Sequence, residues 1–393
     1  MTPTVVNMGI RRSGPVSLLS SAALLVALGP GVAACATEQP AVGIRELPAK
    51  PLPVVRLEGQ ATPRAARGAR PPECQRDKAV MLRNFGCSWD ANHPVFIVKI
   101  PSGEVIGTGF FDRLLYGALN PINRSDWVQT LELQQVNAVG VGAGSWAAQV
   151  RLDCDASCTA SGPGPKWPLS DRAVHAHDTT LTSPGNAITQ VHLDGVIKWS
   201  NGATSVAITD GHIRTPPGLR CDSEPYIPGN HGGCVYSEVI ARHDVFAGRF
   251  PNIAHHISKS QETTTHHWGR KPPGGTLLTR LTDAEKKKQN NLAACKGLGT
   301  PLFHCDEYPF QSTYQGAALE GAGDCTFSIV PAGENRAHGS SLEVDYSSFR
   351  VLDKDPFWVR IVAPPNPEKF TPADTPAQPA SACRFIRRSP AGH

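Results

Sequence analysis

The stretch Pro301-Leu-Phe-His-Cys-Asp-Glu-Tyr-Pro-Phe310 holds the densest chemistry in this chain of 393 residues. An apolar, strand-like approach ends on two adjacent carboxylates, Asp306 and Glu307. Pro309 then stops strand pairing, so both acids are expected where the backbone turns and side chains converge on a site. Downstream stands Glu334-Asn-Arg-Ala-His-Gly-Ser-Ser-Leu-Glu343. A helix opening at Glu334 or Asn335 would put Asn335, His338 or Gly339, Leu342 and Glu343 on one face. The oxygen donors of Asp306, Glu307, Glu334, Asn335 and Glu343 are of the type that suits Mg²⁺ or Mn²⁺, which keep several waters and need few protein ligands. The plain alternative for each is a cap, a turn or a solvated side chain.

The string Cys-Asp-Glu-Tyr-Pro-Phe-Gln-Ser-Thr-Tyr-Gln-Gly-Ala at 305–317 is followed by Val-Pro-Ala-Gly-Glu-Asn-Arg at 330–336, by Gly339, and by Arg350-Val-Leu-Asp-Lys-Asp-Pro-Phe-Trp-Val-Arg-Ile361. Together these resemble the deoxyribonuclease NucA/NucB family of small secreted bacterial nucleases, over about residues 234–362 of the chain. The resemblance implies a ββα-metal-type core that hydrolyses DNA phosphodiester bonds with little sequence specificity, using a divalent metal. Carried over, it implies that Asp306 activates water, that Glu307 supports it or binds metal, and that Asn335 is a metal ligand at the helix start. Glu343 has the spacing of a second ligand. Arg336 is the best candidate for a phosphate contact, because a guanidinium grips two oxygens at once; a helix-surface salt bridge is its alternative. His338 and Arg350 complete the candidate DNA-binding set. His304 and His338 are departures from the pattern, and either could replace Asp306 as base. Tyr308 and Phe310 are expected in the core.

Upstream, Thr282-Asp-Ala-Glu285 has the form of a capping box, which predicts a helix from there to about Cys295. Lys286, Lys287 and Lys288 on that helix would line a phosphate-binding face or be ordinary solvated charges. Between Cys74 and Asp222, short β-type runs separated by turn residues (95–100, 104–111, 130–141, 147–152, 189–199 and 204–209) predict a sandwich-like β-rich region, with the last pair joined through Asn201-Gly202. His175 and His177 there are expected as exposed loop residues, the alternative being a strand on which both face one way and hold a metal. The fold class is therefore α+β, with boundaries at 1–36 for an export signal, 37–72 for a flexible linker, 73–232 for a β-rich accessory domain, 233–362 for the nuclease domain and 363–393 for a Pro-rich tail held by Cys383.

Arg11 and Arg12, an apolar run from Val16 to Leu28 and the small residues around Ala34-Cys35-Ala36 have the layout of a bacterial export signal. Gly29-Pro30 interrupts the run too early for a membrane span. Cleavage before Cys35 would leave a lipid-anchored cysteine, whereas cleavage after Ala36 would release the protein, so the chain is expected outside the cell or at its surface. Either route removes Cys35 from the 11 cysteines and leaves an even set, read as disulfides of an oxidising compartment. Cys154 with Cys158 and Cys221 with Cys234 are the expected local bridges; Cys295, Cys305 and Cys325 are further candidates. A formal charge of +4 neither requires nor excludes a nucleic-acid partner. Two rival readings remain open: a DNA- or surface-binding module without activity, and another secreted hydrolase whose paired acids act on sugars.

Overall fold

The computed structural model describes residues 40–59, 70–207, 210–227, 232–363 and 381–383. The expected export signal with Cys35 and most of the expected tail lie outside the described residues.

Three long strands, Phe85–Lys99, Val105–Ala118 and Trp127–Gly140, pair antiparallel as the spine of a large sheet, flanked by Val42–Glu46 on one side and His175–Thr182 on the other. A second sheet runs in the order Gly211–Arg214, Leu193–Asn201, Trp146–Cys154, Lys166–Pro168. Strict alternation drives their packing, since Trp146, Ala148, Val150 and Leu152 are buried while their neighbours are less so. The inward faces of both sheets share one apolar cluster, in which Phe111 meets Trp146 edge-on at 5.4 Å and Trp199 at 4.5 Å. The region is thus β-rich, as the spacing of its strands implies.

Three expectations need correction here. The stretch 37–72 is not simply a flexible linker, because Val42–Glu46 pairs over its whole length with Val95–Lys99. Glu46 explains why: its buried carboxylate accepts from Arg113 and from Trp199 Nε1 (2.5 Å), and a buried charge must be matched where it lies. The Asn201-Gly202 turn does not fold Val206–Ala207 back on its predecessor; that short strand runs parallel to Gly43 and Ile44 instead. His175 and His177 sit on a strand, where His175 stacks on Trp167 and His177 reaches the Gly162 carbonyl.

Backbone contacts tie the described residues into one unit, but its apolar residues form separate clusters. The expected boundary at 232/233 falls inside a strand pair, Leu219–Asp222 with Gly233–Tyr236, which the Cys221–Cys234 disulfide locks. The C-terminal apolar cluster begins at Ala241. It gathers α1 (Pro251–Thr263), the parallel strands Ala241–Phe246 and Pro356–Val362, and a hairpin of Phe303–Tyr308 with Thr326–Pro331 that runs directly into α3 (Ala332–Ser348). Helix α2 (Ala284–Cys295) packs against the hairpin. Its cap is Asp283, which accepts from the Lys286 amide (3.0 Å), while Thr282 is held by Asp353. Helix α1 starts with Pro251 at its first turn, a local signal that the Thr/His-rich composition just beyond it obscures.

Five disulfides are present among the described residues: Cys74–Cys87, Cys154–Cys158, Cys221–Cys234, Cys295–Cys305 and Cys325–Cys383.

Arg350 is not placed to touch DNA. Only 1 % of it is exposed, and it forks onto the Asp222 carboxylate (2.8 and 2.5 Å) while donating to the Pro121 carbonyl (2.9 Å). Arg83 and Arg220 meet Asp355 beside it, and both donate to the Arg350 carbonyl at 3.0 Å. The residue ends α3 in the left-handed region (φ 45°), a position glycine usually fills. Burial of its guanidinium against partners from the β-rich region is what that conformation delivers.

Candidate active site

Among the described residues, the strand Phe303–Tyr308 is the outer member of its sheet, paired on one side with Thr326–Pro331. Its unpaired side borders a cleft of about 510 Å³ whose other walls are α2 and α3. Lys287, Lys288 and Asn291 line it from α2, Asp306 and Glu307 from the strand, and Asn335, His338, Gly339, Leu342 and Glu343 from α3. The α3 residues recur at the three- and four-residue steps of one helix face, which is why positions eight apart reach the same cleft.

Asp306 faces the apolar core side of the hairpin and is only 5 % exposed. A buried carboxylate requires a donor, and α1 supplies it: His256 Nδ1 lies 2.6 Å from Asp306 Oδ2. The other side of that imidazole is also specified. Ser260 donates its hydroxyl hydrogen to the His256 carbonyl (2.7 Å) and shares a hydrogen bond with Thr326, whose hydroxyl also meets His256 Nε2 at 3.0 Å. Asp306 is therefore held through one oxygen by a three-residue chain.

Glu307 points the opposite way, toward α2. Asn291 Nδ2 approaches its carboxylate at 3.4 Å, and Cys305 beside it is tied to Cys295 at the end of α2. Burial, reinforced by the adjacent Asp306 carboxylate, pushes the Glu307 carboxyl up to about 7. Asn335 donates to the Cys305 carbonyl on the strand's unpaired edge (3.3 Å). Glu343 stands at the far rim, its side chain 50 % exposed, with Arg280 at 3.5 Å.

His338 is 3 % exposed, and burial with the nearby His243 pushes its imidazole down to about 4, so it is uncharged at neutral pH. It cannot serve as a cationic phosphate contact. Glu334 turns away from the cleft: its carboxylate accepts from Asn252 Nδ2 (2.8 Å) and the Ile253 amide (3.0 Å), anchoring the start of α1. Arg336 is exposed on α3 outside the cleft lining, and His304 does not line it either. Lys286 lies over the Tyr314 ring instead of in the cleft. Tyr308 and Phe310 are core residues.

The structure thus gathers Asp306, Glu307, Asn335, His338 and Glu343, and leaves Glu334, Arg336 and Arg350 elsewhere. It adds His256 and His243, which reading the sequence alone overlooks. His256 had one local signal, its place in a helix opened by proline; its pairing with a strand 50 residues away had none.

Carboxylate and amide oxygens of the type that suits hard cations line the cleft, and Glu307 resists ionisation beside Asp306. Among the described residues, however, no three His, Cys, Asp or Glu side chains stand close enough together to enclose an ion unaided.

Residues 257–360 match the family model Deoxyribonuclease NucA/NucB. The likeness carried by the Asp-Glu-Tyr-Pro and Glu-Asn-Arg motifs holds over this C-terminal segment, which contains every residue of the cleft. No curated protein matches the chain.

Proposed function

We propose, from the deoxyribonuclease NucA/NucB likeness of residues 257–360, that the protein is an exported, metal-dependent endonuclease that hydrolyses DNA phosphodiester bonds at the Asp306 cleft. The observation that carries this reading is that Asp306, Glu307, Asn335 and Glu343 line one cleft with two lysines inside the matched segment. The consecutive hairpin and α3 have the order of a ββα-metal core.

Asp306, Glu307, Asn335 and Glu343 would hold Mg²⁺ or Mn²⁺, which when bound would neutralise phosphate charge and lower the cost of ionising Glu307. The chain's own groups do the rest. His256 fixes one Asp306 oxygen, and the other has no hydrogen-bond partner among the described residues, so it is available to a water. Lys287 and Lys288 bring positive charge to a wall otherwise dominated by carboxylates, as a polyanionic substrate requires. Asn335 keeps α3 against the strand edge, so the acids stay in register with the helix face. The five disulfides support export to an oxidising compartment through residues 1–36, with Cys35 as a lipid anchor if cleavage precedes it.

The test is nicking of supercoiled plasmid by the oxidised protein from residue 37 onward. EDTA should stop cleavage and Mg²⁺ or Mn²⁺ should restore it. Because Asp306 is buried against His256, Asp306→Asn is a better variant than Asp306→Ala: it keeps an acceptor for the imidazole while removing the charge. Cleavage should fall at least about 10²-fold. Full activity in EDTA would remove the metal from the mechanism, and wild-type rates in Asp306→Asn would remove Asp306 from it.

A further inference from the structure

A cavity of about 470 Å³ opens in the β-rich region, lined by no residue of the matched segment. The proline-rich run 48–52, between the strands Val42–Glu46 and Val54–Arg56, forms one wall, and 212–217 form another. Leu52, Val54, Ile213 and Pro216 make the lining largely aliphatic, and it contains no Phe, Tyr or Trp ring among the described residues. Ala79, Ser88 and Asp90 are its buried floor, whereas Lys50 and Arg214 are exposed at its rim. A cavity of this size, apolar with a few polar groups placed in it, is the usual form of a ligand site.

The polar groups divide by sign and depth. Arg113 donates to Asp90 Oδ2, and His93 Nδ1 lies 3.1 Å from the same oxygen. Asp90 Oδ1 has no hydrogen-bond partner among the described residues. Burial raises the Asp90 carboxyl, but His93 and Arg113 outweigh it and hold it below the usual carboxylate range, so the floor carries a negative charge at neutral pH. At the rim His212 is paired with Asp194 (2.7 Å), while Lys50 and Arg214 have no ion-pair partner among the described residues. Backbone is on offer as well. Gly211–Arg214 is the outer strand of its sheet among the described residues, paired on one side with Leu193–Asn201, and 212–215 line the cavity.

We infer that this cavity binds a short aliphatic peptide, with its terminal ammonium on Asp90 Oδ1, its side chains among Leu52, Ile213 and Pro216, and its carboxylate toward Lys50 and Arg214. The charges select the ligand. A purely anionic molecule would meet the buried carboxylate, and a purely cationic one would meet the two rim cations. A molecule carrying both charges satisfies floor and rim together, and burying Asp90 under it is tolerable only because its ammonium supplies the missing donor. A nucleobase or other aromatic ligand would require a ring to stack on, which the lining lacks. Among molecules with both charges, a peptide also uses the strand edge, since its backbone can pair with the N–H and C=O groups of 212–215. The inference concerns the β-rich region and does not depend on the nuclease reading.

The experiment is isothermal titration of the oxidised protein from residue 37 onward, at neutral pH, with leucyl-leucine, N-acetyl-leucyl-leucine and leucyl-leucine amide. Leucyl-leucine should bind saturably. Acetylation, which removes the ammonium, should weaken binding about tenfold or more. Amidation removes a charge that meets exposed partners and should weaken it about threefold. Asp90→Asn, shown folded by thermal melting, should bind the free and acetylated peptides alike. Lys50→Ala/Arg214→Ala changes only exposed side chains, so its fold is not at stake, and it should bind the free peptide and its amide alike. Absence of saturable binding by leucyl-leucine, or equal wild-type affinities for the free and acetylated peptides, overturns the inference. A rim variant that still separates carboxylate from amide to the wild-type extent overturns the assigned orientation and the inference with it.

Discussion

Glu307 shows how much one side chain's surroundings decide. Its carboxyl, raised from 4.5 to about 7 by burial and by Asp306, keeps in the folded chain a proton that the unfolded chain releases. The resulting stability is fully present below about 4.5 and is lost as pH rises through about 7. Without divalent metal, that loss is on the order of 3 kcal/mol as an upper bound. Glu307→Gln, which mimics the protonated form, should therefore melt higher than wild type at pH 8 in EDTA and match it near pH 4. Parallel melting curves across that range would show that Glu307 is not held protonated. The adjacency of the two acids was legible in the sequence. Their divergence, Asp306 toward α1 and Glu307 toward α2, follows from strand alternation once the hairpin forms.

Among elements, α2 depends on the Cys295–Cys305 bridge. This disulfide ties the end of the helix that carries Lys287, Lys288 and Asn291 to the residue before Asp306. Closing so short a loop stabilises the fold by about 2–3 kcal/mol on the chain-entropy account. The double variant Cys295→Ser/Cys305→Ser should lose that stability and most of its DNA cleavage. The equivalent pair at Cys74 and Cys87, remote from the cleft, should lose stability with kcat retained. Equal kcat in both double variants would separate the bridge from the site. The α3 face was readable because helical periodicity is a local property. The role of α1 was not, because its contribution, His256, is defined by what it meets across the core.

At the scale of the whole molecule, a buried knot of Arg83, Arg220 and Arg350 with Asp222 and Asp355 joins the β-rich region to the end of α3. Burial and the adjacent Arg220, working against the Asp355 carboxylate, bring the Arg83 guanidinium down to about 10. Arg350→Met should cost about 3–5 kcal/mol in chemical denaturation, because Asp222 would be left buried without its fork. Arg350→Lys should recover only part of this, since an ammonium cannot make the paired contact. An Arg350→Met protein as stable as wild type would show that the knot does not hold the two regions together.

By itself the sequence determined the chemistry available: oxygen donors clustered at 305–307 and along 334–343, alternating strands between 95 and 207, and an even set of cysteines after Cys35. Each is a property of residues near one another along the chain, where period and composition carry the information. Only the tertiary structure decided which charges act and which support. Glu334 anchors α1, Arg350 is spent on Asp222 across 128 residues, and His243 and His256 meet the cleft residues His338 and Asp306 from separate elements. The reason is common to all four. A buried polar group must find a partner of matching charge or hydrogen-bonding capacity, and that partner is chosen by proximity in the folded core, which no local pattern records.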